Sequence, residues 1–113
     1  MQGIPEISPQ ELARRLKNGH RPYLLDVREP EEWAIVHIDG AVLVPITVLA
    51  EKGLSALPED LRPDMETVVY CHHGSRSAQV TAWLLRNGYK NVKNLSGGID
   101  AYALATQPPL ARY

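Results

Sequence analysis

The sequence predicts an α/β fold, a three-layer sandwich in which a mainly parallel sheet of about five strands is flanked by helices. Two patterns predict this class: helix signals alternate with short apolar strands, and the strand over 67–71 is apolar throughout rather than alternating. The length of 113 residues is enough for one hydrophobic core and too short for two. We therefore expect residues 1–113 to form a single domain.

The helices are predicted from the residues that start and stop them. Ser8-Pro9-Gln10-Glu11 is a capping box with proline in the first turn, and Asn18-Gly19 supplies a stop. Glu29-Pro30-Glu31-Glu32-Trp33 is typical of the acidic first turn of a short helix, and its glutamates are interpreted as solvated. The predicted helices cover 9–18, a short segment from 29 onward, one or two turns within 46–52, then 75–87 and 99–105.

The strands are predicted from short apolar runs bounded by turn residues. Residues 57–63, with two prolines, are interpreted as a connector, and Gly97-Gly98 as a tight turn before the last helix. The predicted strands cover 23–27, 41–44, 67–71 and 92–95. In such folds ligands bind beyond the carboxyl ends of the strands, where Asp26 and Cys71 are expected to lie.

The charge balance limits the partners that the chain is expected to have. Twelve Lys and Arg stand against thirteen Asp and Glu, so no strong field favours nucleic acid or an anionic membrane. The N-terminal residues 1–6 lack the pattern of a signal peptide, and no apolar run approaches the roughly 20 residues that span a bilayer. We expect a cytoplasmic protein with no cofactor, no nucleic-acid partner and no membrane partner.

Cys71 is the single cysteine, so no intrachain disulfide can form. A lone cysteine is either a small buried side chain or a nucleophile. Cys71 stands where a predicted strand runs straight into a predicted helix, and a helix N-terminus favours the reactive thiolate. Gly74 lets the backbone curl so that N–H groups converge on one point, and Arg76 adds positive charge. These features favour the nucleophile.

A nucleophilic sulfur in an anion-binding loop suits attack on the sulfane sulfur of a small anionic donor. It also suits storage of the product, a cysteine persulfide, in a two-step covalent cycle. Cys71 is the predicted catalytic residue. The anion loop is predicted to comprise His72, His73, Gly74, Ser75, Arg76 and Ser77, in which the histidines contribute backbone N–H groups and some positive charge.

Other polar residues near the predicted site have simpler interpretations. Asp26 and Arg28 are expected to form an ion pair, and Arg28 to brace the loop or to help form its rim. His37 is expected to be structural. A metal site is not expected, because adjacent histidines rarely share one metal and no second pair of ligands has zinc spacing.

Four motifs in order resemble the rhodanese-like domain family, and the resemblance extends over nearly the whole chain. It is closest to the stand-alone single-domain members. It implies thiosulfate or a related sulfane donor, with cyanide, a thiol or a protein as the sulfur acceptor. The matching segments are Asp26-Val27-Arg28-Glu29, Glu32-Trp33 with 37–41, the six-residue loop from Cys71 to Arg76, and 94–99 with Ala101-Tyr102.

Three positions depart from the family's usual pattern. Tyr102 replaces a usual tryptophan, and Val36 replaces a glycine that many members carry. His72 follows the cysteine where thiosulfate-selective members often carry arginine, which leaves the preferred donor open.

Two alternative functions remain at this point. Phosphatases and arsenate reductases of similar fold use a cysteine loop, but theirs is one residue longer than the four residues between Cys71 and Arg76. A module that delivers sulfur to one protein partner, with little small-molecule turnover, is the other alternative.

Overall fold

The computed structural model describes residues 3–113 and contains one five-stranded sheet in the order β1-β5-β4-β2-β3, with every neighbouring pair parallel. This confirms the predicted α/β class and the parallel sheet. The strands are β1 (Glu6–Ile7), β2 (Tyr23–Asp26), β3 (Val42–Leu43), β4 (Thr67–Tyr70) and β5 (Val92–Leu95).

Four of the five α-helices in residues 3–113 connect successive strands and the fifth follows β5, all close to the positions predicted from the sequence. Ser8 caps the first one: its Oγ accepts a hydrogen bond from the Glu11 N–H at 3.1 Å, while the Glu11 carboxylate pairs with Arg14 instead of completing the predicted capping box. The helices are α1 (Pro9–Lys17), α2 (Pro30–Ile35), α3 (Ile46–Lys52), α4 (Ser75–Arg86) and α5 (Gly98–Ala105), with a 3₁₀ turn over Gly53–Ala56.

The strand β1 was not predicted. It has only two residues, which is too short for a hydrophobic period, and it exists because it pairs with β5 at the edge of the sheet. The residue pairs are Glu6 with Asn94 and Ile7 with Leu95, which lie far apart in the sequence. The pairing of this segment is therefore decided by tertiary contact.

The core has two parts, one on each face of the sheet, because successive side chains of a strand point to opposite faces. On one face Leu25 and Val69 pack with residues of α3 and α4, including Leu49 and Val80. The other face is covered by α1 and α5, where Leu12, Ile99 and Tyr102 pack on Leu24, Val68 and Tyr70. The sheet is thus the middle layer of three, as predicted.

The parallel strands bring their carboxyl ends to one edge of the sheet. Asp26 of β2 is in register with Tyr70 of β4, so the residues that follow both strands lie side by side. Within residues 3–113, no helix is both long enough and apolar enough to cross a bilayer. Met1 and Gln2, the first residues of the segment 1–6 that lacks a signal-peptide pattern, lie outside the described residues.

Candidate active site

Cys71 follows β4 directly and is almost completely buried, with 1% of its surface exposed. Three donors lie within hydrogen-bond distance of its Sγ atom: the Gly74 N–H at 3.1 Å, the Ser77 N–H at 3.4 Å and the Ser77 hydroxyl at 3.3 Å. Hydrogen bonds are roughly twice as strong when the acceptor carries a negative charge as when both groups are neutral. The loop therefore surrounds the sulfur with donors, which suits a thiolate and equally a persulfide.

Gly74 makes this convergence possible. Its φ of +108° lies in the left-handed region that residues with a Cβ rarely adopt, and it reverses the chain immediately before α4. Its carbonyl accepts a hydrogen bond from Asn94 Nδ2 at 3.2 Å. This positive φ at Gly74 is the physical reason why the loop curls there, as the sequence predicts.

Asn94 on β5 is a support that the sequence analysis did not identify as a site residue. It is buried, and its Oδ1 accepts a hydrogen bond from the Ser77 hydroxyl at 2.6 Å. Since that hydroxyl has one proton, it donates either to Asn94 or to Cys71 Sγ at a given moment. Asn94 therefore controls how much of the Ser77 donor is available to the sulfur.

The start of α5 holds the loop from the other side. The N–H groups of Ile99 and Asp100 donate to the carbonyls of Cys71 and His72, at 2.9 and 3.1 Å. Gly98 has φ +64°, and a Cβ there would clash with both of these carbonyls. The turn at Gly97-Gly98 thus has a backbone role: it lets two chain segments approach closely beside Cys71.

Arg76 forms a two-pronged ion pair with Glu32 of α2, with N–O distances of 2.8 and 3.0 Å. The hydrogen bond from Arg76 is the main cause that lowers the pKa of Glu32 to about 2. The interpretation of Glu32 as a solvated residue was wrong. Its carboxylate lies in the first turn of α2 and pairs with Arg76 of the active-site loop. Its Oε1 also accepts from the Glu29 N–H at 3.1 Å, which fixes its position.

Asp26 and Arg28 form the expected ion pair, and both side chains are fully buried. Nε and Nη2 of Arg28 lie 3.0 and 2.7 Å from the two carboxylate oxygens of Asp26. The guanidinium also donates to the carbonyls of Glu32 and Val36, at 3.3 and 2.7 Å. Arg28 therefore holds the backbone of α2 at Glu32, the residue that pairs with Arg76, and at Val36, which follows the helix, and its side chain presents no surface to a rim.

The two histidines of the loop have different surroundings. The His72 ring stacks on Tyr113, with ring centroids 3.8 Å apart, and His73 is exposed, with its Nδ1 3.8 Å from Asp100 Oδ2. The backbone N–H groups that reach Cys71 Sγ belong to Gly74 and Ser77. This differs from the predicted contribution of the histidine N–H groups, because the chain curls inward only at Gly74.

Two further expectations concern residues beside the loop. Ser75 is the first residue of α4 and its side chain is exposed, so among the loop serines it is Ser77 that contacts the sulfur. His37 stacks on Trp33 with ring centroids 3.7 Å apart, and its Nδ1 lies 3.1 Å from the Trp33 carbonyl oxygen. These contacts follow the end of α2 and agree with a structural role for His37.

Two surface concavities of about 890 and 440 Å³ lie elsewhere, one between α1, α5 and residues 37–39, the other between α3 and α4. Neither is lined by the loop over 71–77. The site of Cys71 is thus separate from both concavities.

Together, the parallel sheet and the cysteine loop define an α/β domain with a buried thiol at the carboxyl edge of its strands. The model of the rhodanese-like domain matches residues 8–105, and the chain belongs to this sulfurtransferase family. The described loop also keeps the four-residue spacing between cysteine and arginine on which the family resemblance rested.

Two relatives are similar over almost the whole chain. A sulfurtransferase of Allochromatium vinosum is 35% identical over 96% of this chain and 96% of its own length. The structure of the human single-domain sulfurtransferase TSTD1 is 30% identical, with a TM-score of 0.72 over 88% of this chain and 96% of the human one.

Longer relatives contain a similar domain. The probable adenylyltransferase/sulfurtransferase MoeZ of Mycobacterium tuberculosis is 42% identical over 95% of this chain, which spans 26% of MoeZ. A tRNA uridine(34) hydroxylase of Chlamydia muridarum is 39% identical over 87% of this chain, which covers 30% of that protein.

Proposed function

We propose that this domain transfers a sulfane sulfur from thiosulfate or a related small anionic donor to cyanide or a thiol acceptor through a persulfide on Cys71. The observation that supports it is the convergence of the Gly74 and Ser77 donors on Cys71 Sγ. A buried thiol with a purely structural role would not need three polar donors, whereas a sulfur that carries negative charge does.

In the first step the Cys71 thiolate attacks the outer sulfur of thiosulfate. A new S–S bond forms to Cys71, the S–S bond of the donor breaks, and its electron pair leaves with sulfite. The product is the anionic persulfide of Cys71. The N–H groups at the start of α4 face the sulfur and stabilise its charge without having to reorient.

In the second step the acceptor attacks the terminal sulfur of the persulfide. With cyanide, a C–S bond forms, the S–S bond breaks, thiocyanate leaves, and the Cys71 thiolate is restored. No proton has to move in either step, so the cycle assigns no acid–base role to His72 or His73. Arg76 is the proposed anion ligand, since its side chain is 32% exposed and thus reachable from solvent.

Sulfur loading tests the proposal directly. Intact-mass measurement after incubation with thiosulfate should show a gain of one sulfur, about 32 Da, on the wild-type chain. Subsequent cyanide should remove that mass and release thiocyanate. The matched control is Cys71→Ser, which keeps the size of the side chain but removes the nucleophilic sulfur. A wild type that gains no mass, or a serine variant that gains the same mass, rules out the persulfide.

Delivery of sulfur to a protein partner is the alternative function. It is supported by MoeZ and the tRNA uridine(34) hydroxylase, in which a similar domain is about a quarter to a third of a longer protein. Persulfidated protein offered to cyanide, small thiols and candidate acceptor proteins would separate the two. Fast transfer to a protein with slow thiocyanate formation supports delivery, and the reverse supports small-molecule turnover.

A further inference from the structure

Residues 106–113, here called the C-terminal strap, turn back after α5 and run along it toward the active site. The Leu110 N–H donates to the Ala103 carbonyl at 3.2 Å, and the Leu110 side chain packs on the core beside α5. Arg112 then forms a two-pronged ion pair with Asp100, at 2.9 and 3.1 Å, in the first turn of that helix. The strap thus returns to the edge of the sheet where Cys71 lies.

Tyr113 of the strap contacts the active-site loop. Its ring lies parallel to that of His72, with an interplanar angle of 8° and centroids 3.8 Å apart. Its hydroxyl donates to Glu32 Oε2 and accepts from Arg28 Nη1, both at 2.8 Å. Burial is the main cause that raises the pKa of Tyr113 to about 12, so the phenol keeps the proton that it donates.

These contacts connect Tyr113 with two side chains of the active-site loop, those of His72 and Arg76. It touches His72 directly and reaches Arg76 through their shared partner Glu32. Cys71 itself is 1% exposed, so side chains around it have to leave room before a reactant can meet its sulfur. The Tyr113 ring is held at both its face and its hydroxyl, directly beside the residue that follows Cys71.

The closed arrangement also leaves one polar atom unsatisfied. Within the described part of the chain, Nε2 of His72 is buried and has no hydrogen-bond partner. Such an atom carries a free-energy cost that is removed when water or an anion can reach it. Displacement of the Tyr113 ring would expose the stacked His72 and recover part of this cost.

From these contacts we propose that Tyr113 is a specificity-determining residue that restricts Cys71 to small anionic sulfur donors. The inference rests on the proposed sulfur transfer and adds the selection of donors by size. The strap lies beyond residues 8–105, the part of the chain that the family model matches.

Two donors of the same chemistry and different size test the inference. Thiosulfate and benzenethiosulfonate are both anions that give up a terminal sulfur, releasing sulfite and benzenesulfinate respectively. Sulfur loading by each is followed by intact mass, and the ratio of the two values of kcat/KM is compared between variants. Tyr113→Ala should raise the ratio in favour of the larger donor by about tenfold or more, as expected when a steric limit is removed.

Two further variants control for general damage. Tyr113→Phe keeps the ring and loses the hydroxyl, so its donor ratio should stay close to that of the wild type. Arg62→Ala breaks an exposed pair with Asp64 at 3.8 Å, outside the strap and the loop, and should leave the ratio unchanged. A Tyr113→Ala protein that loads sulfur but keeps the wild-type ratio overturns the inference.

Alkylation of Cys71 provides a measurement that does not depend on sulfur transfer. Because the chain has one cysteine, the rates with iodoacetamide and with the bulkier N-phenylmaleimide report access to that thiol alone. Tyr113→Ala should accelerate the bulky reagent more than the small one, and equal acceleration of both contradicts a size limit. Failure of every donor to load the wild type overturns the proposed function instead, whereas the alkylation ratio still decides whether Tyr113 limits access.

Discussion

Two arginine–carboxylate pairs lie beside the active site and differ in how they meet solvent. Asp26 and Arg28 are both fully buried, and Arg28 has further acceptors around it. The side chains of Glu32 and Arg76 are 20% and 32% exposed, and the pair lies at the loop itself. The Asp26–Arg28 pair is therefore part of the buried structure, whereas the Arg76 guanidinium is partly exposed and can be reached from solvent.

The physical reason lies in the cost of separating each pair. A buried charge that loses its partner has no water to replace it, so the Asp26–Arg28 pair resists exchange. An exposed pair exchanges its partner for water or another anion at little cost. In the proposed cycle the donor competes with Glu32 for Arg76, while Arg28 keeps the segment that carries Glu32 in place.

The largest expected effect concerns the buried pair. Arg28→Met should lower the free energy of unfolding by about 3–5 kcal/mol, because Asp26 is left as an unpaired charge in the core. Urea denaturation at pH 7 measures this. Arg76→Met is the matched control and should cost less than about 1 kcal/mol. If Arg28→Met and Arg76→Met lower the free energy of unfolding equally, the buried pair is no more important for stability than the partly exposed one.

The next effect concerns activity. Arg76→Met should lower kcat/KM for loading from thiosulfate by about 10- to 100-fold, since each factor of ten corresponds to about 1.4 kcal/mol of lost anion stabilisation. Arg76→Lys should recover part of the loss, because it keeps the charge and loses the planar two-pronged geometry. If Arg76→Met loads sulfur as fast as the wild type, Arg76 is only a partner of Glu32.

The smallest effect is a pH dependence of stability. Hydrogen bonding to Arg76 holds the pKa of Glu32 at about 2, below the ordinary value of 4.5. The stabilisation by the ionised carboxylate is therefore present in full above about pH 4.5 and is lost as the pH falls toward 2. Glu32→Gln should cost about 1 kcal/mol at pH 7, and the gap to the wild type should close over that pH range.

Glu66 offers a matched comparison away from the loop. Hydrogen bonds from Arg15, the largest cause, and from Lys93 also hold its pKa at about 2. Glu66→Gln should therefore show the same pH dependence of unfolding, followed by far-UV circular dichroism, while sulfur loading stays at the wild-type rate. A gap between wild type and Glu32→Gln that stays constant between pH 7 and 2 would contradict the ion-pair account.

Most of the fold was predictable because its signals are local. The N-cap at Ser8, the unbroken apolar run of β4 and the glycines before α4 and α5 each act within a few residues of chain. The strand β1 was missed because two residues contain no period of their own. Its partner strand β5 lies almost ninety residues away, and the Glu6 carboxylate accepts hydrogen bonds from the Asn94 and Ser96 side chains at that distance in sequence.

The candidate site divides in the same way. The position of Cys71 before a helix, the curl at Gly74 and the nearby Ser77 were readable because they belong to one seven-residue segment. Glu32, Asn94 and Tyr113 were not identified as site residues. Glu32 is 44 positions from Arg76 and Tyr113 is 81 positions from Glu32, and no local pattern marks such contacts.

The sequence by itself determined the α/β class, the order of its elements after β1 and a cysteine placed at the start of a helix, because propensity, capping and backbone freedom act over short distances. Only the tertiary structure decided which carboxylate faces Arg76, which pair is buried and what lies over His72. Those features depend on how parallel strands bring distant segments to one edge of the sheet. The proposed nucleophile was therefore identifiable from the chain, whereas the distant side chains that surround its loop were not.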